Sequence, residues 1–301
     1  MQSRLPRFKR ASIITPMQLE ERDRQIIRLV HRHRFIRSHQ IVALLGGSPQ
    51  QVSRRLKLLY HHGYLERPRA QLQYYERSGS KSIAYGLGNK GGVLLRQGLG
   101  IRVHSDSWGE KNQVIGRVYL EHALFVSDVM ASLELACRKR GDVRLLYEDQ
   151  LGLPVEKRPF RWRVKTQNGL KLGIIPDRLF ALEYPDRNGH NLRVYFFLEA
   201  DRGTMPVKRN NLSQTSFYRK LLAYETTWTQ NLHRTRFGFH RFRVLTVTTS
   251  AARVKSLVDA CSELKHGHGL FLFADRTILS GDIFSATWQT GKSGETGSLL
   301  D

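Results

Sequence analysis

The sequence predicts an α/β fold, in which a small N-terminal domain precedes a larger domain built on a mixed sheet. Two observations support this fold class. Three helical patterns joined by short turns come before residue 65, and apolar strand patterns alternate with helical ones after residue 114. From composition we expect domains over 15–99 and 114–290, a polar, glycine-bearing linker over 100–113, and flexible tails at 1–14 and 291–301.

The net charge indicates a polyanionic partner. The 301 residues include 49 Lys and Arg against 26 Asp and Glu, a formal net charge of +23, and the first hundred residues carry more than half of the excess. No apolar stretch approaches the roughly 20 residues of a membrane-spanning helix. The basic N-terminus lacks an apolar segment of signal-peptide length. We therefore expect a cytoplasmic protein with nucleic acid, not a membrane, as its partner.

The first domain has the element order of a winged helix-turn-helix. A helix is predicted over Gln18–Phe35, followed by a short helix with Ser38 as its N-cap. Gly46–Gly47 predicts a stop and a turn. Ser48 as N-cap and Pro49 at the first helical position then predict the start of a third helix.

The third helix is predicted to read double-stranded DNA. Val52, Leu56 and Leu59 recur at helical spacing and should face the core. This leaves a polar outward set that suits a major groove, because Gln pairs with adenine, Arg with guanine and Lys with phosphate. The outward set is Gln50, Gln51, Ser53, Arg54 and Lys57. A helical dimerisation module with a basic solvent face is the alternative.

A long basic turn between two strand patterns, YLER and SIAYGL, is interpreted as the wing. Its basic side chains would lie along the phosphate backbone, where contacts position the protein and carry no sequence information. The predicted contacts are Arg67, Arg69, Arg77 and Lys81. A short closing helix, NKGGVLLRQGL, should follow.

The second domain is predicted as helix, several strands, helix, strand, helix, strand. The elements in order are a helix over 114–140, strands at VRLLYED, FRWRVKTQ, GIIPDRLFALEY and NLRVYFFLEAD, a helix near 213–232, a strand at RFRVLTVT, a helix capped by Ser250, and a strand at GLFLFAD. This order predicts a mixed sheet.

A strand that ends in two carboxylates, VYFFLEADRG, is the main candidate for chemistry. Glu199 and Asp201 are two residues apart and should project on one face. A hairpin turn centred on residue 188 would place Asp177 opposite Glu199. A strict two-residue turn at Asn188–Gly189 would instead put Asp177 and Glu199 on opposite faces. The sequence leaves both registers open.

Converging carboxylates repel unless a cation or a proton lies between them. Oxygen ligands suit Mg²⁺, which can activate water for phosphodiester hydrolysis. We therefore predict a Mg²⁺ site at Asp177 and Glu199, to which the preceding helix could add Glu121 or Asp128. The alternative is an ordinary strand end, whose acids pair with the arginines that directly follow Asp177 and Asp201.

The acidic pattern resembles the PD-(D/E)xK nuclease fold. A Pro-Asp pair ending at Asp177 precedes a strand that ends in Glu199-x-Asp201, and Asp201 stands where that motif has its lysine. A lysine from the following segment, Lys208 or Lys220, could replace it. The resemblance implies a restriction-endonuclease-like domain. Its catalytic residues would be Asp177, Glu199, Asp201 and Lys220, with Mg²⁺ as the cofactor if the site is active.

The chain as a whole resembles the replication-relaxation proteins of bacterial plasmids and other mobile elements. After the N-terminal domain, the motifs LEHALFVSDV, IIPDRLFAL, FFLEADRGT and KLLAYE follow in order, and the resemblance covers residues 15–265. It implies a role in plasmid replication and in changes of DNA supercoiling. The positions of interest carried by these motifs are His122, Asp128, Asp177, Glu199, Asp201, Arg202, Lys220 and Tyr224.

Two further patterns in the sequence each have an ordinary structural explanation. KRPFRWRVK interleaves Phe160 and Trp162 with basic residues, which would suit single-stranded DNA, although a hairpin with one basic face explains it equally well. The pairs His31-x-His33 and His266-x-His268 resemble the metal-binding pair of a rolling-circle relaxase, but the first lies in a helix and the second in a turn.

These patterns lead to one interpretation and two alternatives. The leading one is a DNA-binding protein of a plasmid or mobile element, with a nuclease-like domain that need not cut. The first alternative is a transcriptional regulator whose α/β domain only dimerises, and the second is a Mg²⁺-dependent DNA nickase or endonuclease. The expected protein partner is a second copy of the chain or a replication or mobilisation protein.

Overall fold

A computed structural model describes most of the chain. The described residues are 7–12, 16–72, 82–101, 107–153, 160–186 and 188–300. The chain divides into two compact units, residues 1–131 and 132–301.

The N-terminal unit combines helices with a small antiparallel sheet. Its elements in chain order are α1 (Glu21–His33), β1 (Phe35–Arg37), α2 (Ser38–Leu45), α3 (Pro49–His61), β2 (Leu65–Glu66), β3 (Ala84–Leu87), α4 (Asn89–Leu99), α5 (Trp108–Gln113) and the beginning of α6 (Arg117–Arg140). Strand β3 lies in the middle and pairs antiparallel with β1 and with β2.

The start of α3 has the predicted cap. The Ser48 hydroxyl accepts a hydrogen bond from the Gln51 amide at 3.4 Å, and Pro49 is the first helical residue. Gly46 and Gly47 both have positive φ, at 70° and 79°, which only glycine adopts without steric cost. Val52, Leu56 and Leu59 are buried as predicted. The turn before α3 and its apolar face are therefore confirmed.

The end of the first helix differs from the prediction. The sequence pattern continued the helix to Phe35, but α1 ends at His33 and Phe35 begins β1. Arg34 has a φ of 69° and its guanidinium lies over the rings of Phe35 and Trp108. Helix α2 also begins at Ser38 itself, with Arg37 as the N-cap residue. A positive φ at arginine cannot be read from apolar spacing, which explains the missed strand.

The division between the units does not coincide with the predicted linker. It lies within α6, between Ala131 and Ser132. Part of the predicted linker is the helix α5, where the buried Asn112 side chain donates to the Leu87 carbonyl at 2.6 Å. The described residues of this segment from Trp108 to Gln113 therefore form a helix that is hydrogen-bonded to β3.

The C-terminal unit is built on a seven-stranded mixed sheet. Its strands and helices are β4 (Arg144–Tyr147), β5 (Trp162–Lys165), β6 (Lys171–Ile174), β7 (Arg178–Pro185), β8 (Asn191–Ala200), α7 (Phe217–Thr229), α8 (Leu232–Thr235), β9 (Phe242–Thr248), α9 (Ala251–Ser262), β10 (Phe271–Asp275), β11 (Trp288–Thr290) and β12 (Thr296–Gly297). The strand order is β12-β11-β10-β9-β8-β7-β4.

Strands β8, β9 and β10 are parallel neighbours, and the flanking pairs are antiparallel. The mixed sheet is therefore confirmed. The segment GIIPDRLFALEY was predicted as one strand, but it forms β6 and β7 separated by a break at Ile175–Asp177. Proline lacks the amide that a sheet ladder needs, so Pro176 interrupts the pairing. Strand β6 pairs with β5 in a separate hairpin.

The β5–β6 hairpin covers an aromatic core. Phe160 and Trp162 are buried, and the Trp162 indole donates to the Thr227 hydroxyl at 2.9 Å. Phe160 stacks on Phe197 with ring centroids 5.7 Å apart. These two aromatic side chains are core residues, so of the two explanations that the sequence left open they do not fit the stacking of DNA bases. The alternative hairpin is present, and its basic residues Arg163 and Lys165 are exposed.

Described residues of both predicted tails are packed into the structure. Arg10 donates to the Glu66 carboxylate at 2.7 Å and to the Tyr60 carbonyl at 3.0 Å. At the C-terminus, β12 adds an edge strand to the sheet, and Leu299 is fully buried. Short segments of this kind lack a sequence periodicity of their own, since they are held by contacts made elsewhere in the chain.

Candidate functional site

The β7–β8 hairpin has the register that places Asp177 and Glu199 on one face. Arg178 pairs with Leu198, so the preceding position lies opposite Glu199. Asp177 lies in a bend directly before β7, and its amide donates to the Leu198 carbonyl at 2.9 Å. Its carboxylate accepts from the Ala200 amide at 2.7 Å. Of the two registers that the sequence left open, the structure has the one centred on residue 188, and the two acids flank the same strand end.

Glu199 is enclosed by two side chains of helix α7. Its carboxylate accepts a hydrogen bond from the Tyr224 hydroxyl at 2.6 Å through Oε1 and from the Lys220 ammonium at 2.5 Å through Oε2. Lys220 and Tyr224 are four residues apart and therefore lie on one helix face. Glu199 itself is 1% exposed. A buried carboxylate is thus held by one cation and one neutral donor.

The charges of this cluster influence one another. Burial raises the pKa of the Glu199 carboxyl, the ammonium of Lys220 opposes that effect, and the nearby charge of Asp177 adds to it. Burial alone would lower the pKa of Lys220, but the carboxylates of Glu199 and Asp177 outweigh it, so that pKa is raised. The Tyr224 pKa is raised well above its usual value, first by burial and then by Glu199. Lys220 is therefore a cation and Tyr224 a neutral donor at neutral pH.

Asp201 binds a different set of partners. Its carboxylate accepts from the Arg253 guanidinium at 2.8 Å and from the Thr248 hydroxyl at 2.7 Å. Arg253 lies in the first turn of α9, and its amide donates a hydrogen bond to the hydroxyl of the N-cap residue Ser250. Asp201, which stands where the PD-(D/E)xK motif has its lysine, therefore forms an ion pair that connects the end of β8 to α9. Its charge still contributes to the raised pKa of Lys220, less than Glu199 and Asp177 do.

Of the two lysines proposed to replace the motif lysine, only Lys220 contacts an acid of the cluster. Lys208 pairs with Glu263, the C-cap residue of α9. Lys220 extends from the first turn of α7 to Glu199. Arg253 was missed by sequence reasoning. The signal was nonetheless present, because the Ser250-capped helix begins directly after β9, whose carboxyl end lies beside that of β8.

The two metal ligands expected from the preceding helix are used elsewhere. Asp128 accepts hydrogen bonds from Arg37 at 2.6 Å and Gln40 at 2.9 Å. Glu121 pairs with Arg117 at 2.7 Å, one helical turn away. Within the described part of the chain, no three His, Cys, Asp or Glu side chains are grouped to hold a metal ion. Each of these two acids therefore already has a basic partner close to it in the chain's N-terminal unit.

Asp177 and Glu199 could hold Mg²⁺ between them, provided that Lys220 moves away from Glu199. Mg²⁺ is commonly held by one or two carboxylates, with water and substrate phosphate completing the shell. Asp177 and Glu199 flank one strand end, and the charge of Asp177 acts on Glu199. Both Glu199 oxygens already accept hydrogen bonds, so an ion at this acid would have to take the place of the Lys220 ammonium.

The outward face of α3 is polar and exposed. Gln50, Gln51, Ser53 and Arg54 are exposed, and Lys57 is half-buried. The neighbouring Arg55 has a different environment, because its guanidinium binds the fully buried carboxylate of Asp23 at 2.8 Å. Residues of the outward set are therefore available to a ligand, whereas the partly buried guanidinium of Arg55 is held by Asp23.

The basic turn after β2 is only partly as predicted. Arg69 is exposed, but Arg67 is buried, with its guanidinium 4.2 Å from the Tyr60 ring centre and 3.0 Å from the Tyr85 hydroxyl. The prediction that Arg67 contacts phosphate is corrected, because its charge is enclosed by aromatic rings and hydrogen-bond acceptors. Arg77 and Lys81 lie outside the described residues.

The two histidine pairs have the settings expected of ordinary structural residues. His31 and His33 lie in the last turn of α1. The amide of His266 donates to Glu225 at 2.8 Å, and His268 begins a short 3-10 turn before β10. Neither pair lies on a strand, as the metal-binding pair of a relaxase would.

Comparison with known proteins gives a match to a family model. A family model described as replication-relaxation matches residues 27–240, which include α3 and the Asp177–Glu199–Lys220 cluster. Neither curated proteins nor solved structures match the chain. Within the described residues, no helix has the length and apolar character needed to cross a bilayer.

Proposed function

This chain belongs to the replication-relaxation family, and we propose that it is a DNA-binding protein that acts on double-stranded DNA of a plasmid or other mobile element. Membership of the family supports a role in replication and relaxation of such elements. The proposal adds how the chain meets its DNA: the N-terminal unit acts as a winged helix, and α3 enters the major groove.

The exposed polar face of α3 carries this proposal. The order α1-β1-α2-α3-β2-β3, with the three strands in one antiparallel sheet, is the order expected of a winged helix-turn-helix. The turn between α2 and α3 contains Gly46 and Gly47, and the outward side chains near the start of α3 are of the types that contact base edges. A net charge of +23 supplies the electrostatic attraction.

Phosphodiester cleavage is the second candidate function. The observation that favours it is the contact between Lys220 and Glu199, because it adds a cation to the pair of acids at the end of β8. In this proposal the C-terminal unit is a nuclease-like domain, and Asp177 and Glu199 would hold Mg²⁺, which supplies an activated water when it is bound. Lys220 would turn from Glu199 towards the phosphate, and Tyr224 would keep the Glu199 carboxylate in place.

The cleavage proposal is tested with supercoiled plasmid. The protein is incubated with the plasmid with and without Mg²⁺, beside an Asp177→Ala/Glu199→Ala variant and a matched control. The control, Asp259→Ala/Glu263→Ala, removes an exposed acid of α9 and the exposed acid at its C-cap. Cleavage predicts nicked circles that require Mg²⁺ and are lost only in the first variant. If the unchanged protein leaves the plasmid supercoiled, this second candidate is wrong.

The DNA-binding proposal is tested by footprinting, and it does not depend on cleavage. An Arg54→Ala variant should retain its fold and lose sequence preference within the protected site. Unchanged protection by that variant and by Gln50→Ala and Gln51→Ala would contradict the role of α3. A regulator whose second domain only dimerises would give the same footprint without nicking. Both the unchanged protein and the Asp177→Ala/Glu199→Ala variant would then sediment as dimers.

A further inference from the structure

A large groove lies at the end of the sheet opposite the Asp177–Glu199 cluster. It has a volume of about 1240 Å³ and is formed by the beginnings of β8 and β9, the end of α7, and α8. Arg193 lines the groove and lies six residues before Glu199 on β8. At about 3.3 Å per residue, the groove and the cluster are therefore roughly 20 Å apart along this strand. The groove includes no residue of the outward face of α3 and neither Asp177 nor Glu199.

The lining of the groove is strongly basic. Four arginines and two histidines contribute to it, against a single acid, Glu183. Glu183 is already paired with Arg193 at 2.8 Å and with Arg144 at 3.0 Å. The side chains of Arg234 and Arg241 are exposed at the groove. The lining thus retains an excess of positive charge after its own ion pair is counted, and it suits a ligand with several negative charges.

An exposed aromatic side chain lies in the same groove. Trp228, near the end of α7, lines it and is 41% exposed. Most large aromatic side chains of this unit are buried in its core. A flat ring beside arginines is the combination that binds single strands, because a base stacks on the ring while the backbone follows the charges. Bases of a duplex are stacked on one another and cannot use such a ring.

We propose that the groove lined by Arg193, Trp228, Arg234, His240 and Arg241 binds single-stranded DNA. Its phosphates lie along Arg234 and Arg241, and at least one base stacks on Trp228. The choice of DNA rests on the proposed function, since a protein that acts in replication meets separated strands. This groove gives a separated strand a site of its own.

The test measures binding of the full chain to a fluorescein-labelled 20-nucleotide oligo-dT by anisotropy. The groove variant is Arg234→Glu/Arg241→Glu. The matched control is Lys139→Glu/Lys255→Glu, which changes the net charge equally at two exposed lysines outside the groove. We expect the groove variant to bind at least tenfold more weakly and the control to bind within about twofold of the unchanged protein. The salt slope of the groove variant should fall by roughly 1.4 for two lost phosphate contacts.

The stacking contact is tested at Trp228. Trp228→Ala should weaken binding roughly tenfold, and Trp228→Phe should restore most of it because a flat ring is retained. Tryptophan emission should be quenched by the oligonucleotide in the unchanged protein, and much less in Trp228→Phe. A structural role of Trp228 would change thermal stability without removing the quenching.

Three results would overturn the proposal: equal losses in the groove and control variants, an equal loss of duplex affinity in the groove variant, or tighter binding of an oligo-rU of the same length.

Arg54→Ala separates the proposal for α3 from the proposal for the groove. It should weaken binding to duplex and leave oligo-dT binding unchanged. If duplex binding survives Arg54→Ala while the groove variant loses oligo-dT, the role of α3 fails and the groove stands; the reverse pattern removes the groove alone.

Discussion

The Lys220 ammonium lies 2.5 Å from the Glu199 carboxylate, and so connects the first turn of α7 to the end of strand β8. The two side chains differ in solvent exposure: Glu199 is almost fully buried, and the Lys220 side chain is 32% exposed. A ligand could therefore reach the Lys220 side of the pair but not the Glu199 side.

Removal of the Lys220 charge should make stability depend more steeply on pH. Burial already raises the pKa of Glu199 in the folded protein. Between the pKa of the unfolded chain and that of the folded protein, the folded protein therefore binds more protons. Stability falls as pH rises through this range. Lys220→Met removes the opposing cation and raises this pKa further. We expect a loss of about 2 kcal/mol at pH 8, less than for a fully buried pair because Lys220 is partly exposed.

The measurement is urea denaturation of the unchanged protein and of Lys220→Met between pH 4 and pH 8. The difference between them should shrink as pH falls towards the unfolded pKa of Glu199, because the carboxyl is then protonated in both proteins. Lys208→Met, which removes an exposed lysine paired with Glu263, is the matched control. A difference that is constant with pH would contradict the assignment.

Asp201 and Arg253 should behave as one unit. Each is nearly buried, and the guanidinium donates to the carboxylate at 2.8 Å. Asp201→Ala should destabilise the protein by about 3 to 5 kcal/mol, because it leaves a buried charge without its partner. Asp201→Ala/Arg253→Met should cost clearly less than the sum of the two single variants. A double-mutant cycle measured by chemical denaturation tests this, and additive losses would show that the pair is not coupled.

The same contact predicts the result of restoring a lysine to the strand. Asp201→Lys would place a cation against Arg253 and Thr248. It should therefore lower the melting temperature and should not increase plasmid nicking. A rise in nicking by this variant would mean that position 201 faces the phosphate when DNA is bound.

Two consecutive arginines of α3 should give opposite results. Arg54 is exposed, so Arg54→Ala should leave the melting temperature within about 1 °C and change DNA sequence preference, with roughly 1 to 3 kcal/mol lost at one base pair. Arg55 binds the buried Asp23, so Arg55→Ala should lower stability by about 3 kcal/mol. Thermal melts and binding to a set of duplexes measure both effects. Similar behaviour of the two variants would contradict the assigned face of α3.

Arg67 and Arg69 form a second matched pair. Arg69→Ala should weaken binding to all duplexes alike and reduce the salt slope by about 0.9, as expected for one lost phosphate contact. Arg67→Ala should destabilise the N-terminal unit, because its guanidinium is enclosed between Tyr60 and Tyr85. Titrations of a labelled duplex at several salt concentrations, with melts of both variants, decide this. A reduced slope for a fully folded Arg67→Ala protein would show that its guanidinium reaches DNA.

The C-terminal segment should contribute to stability, contrary to its prediction as a tail. Leu299 is fully buried beside the edge strand β12, so Leu299→Ala should cost about 2 to 4 kcal/mol. Leu300 is only half-buried, and Leu300→Ala is the control. Chemical denaturation of both variants measures the difference. Equal stability of the two would mean that the segment is not packed as described.

Local patterns were sufficient for most of the helices and strands. The Gly46–Gly47 turn, the Ser48 and Ser250 caps and the apolar face of α3 depend on residues within one or two helical turns. The mixed sheet follows from the alternation of strand and helix patterns. Such features are set by backbone preference and by apolar periodicity, which a sequence displays directly.

The candidate site depended on contacts that a sequence does not display. The sequence identified Asp177, Glu199 and a choice of two lysines, but left the hairpin register and the choice of lysine open. A shift of one residue would have moved Asp177 to the other face. Only the packing of α7 and α9 against the sheet joined Lys220 to Glu199 and Arg253 to Asp201.

By itself, the sequence determined that this is a strongly basic, two-part α/β protein with an acidic strand end. Tertiary structure alone decided which charged side chains are enclosed and which face solvent. Arg54 and Arg55, or Arg67 and Arg69, have the same chemistry and nearly the same position in the chain. They differ in burial and partners, because packing between distant segments determines the cost of desolvating each charge.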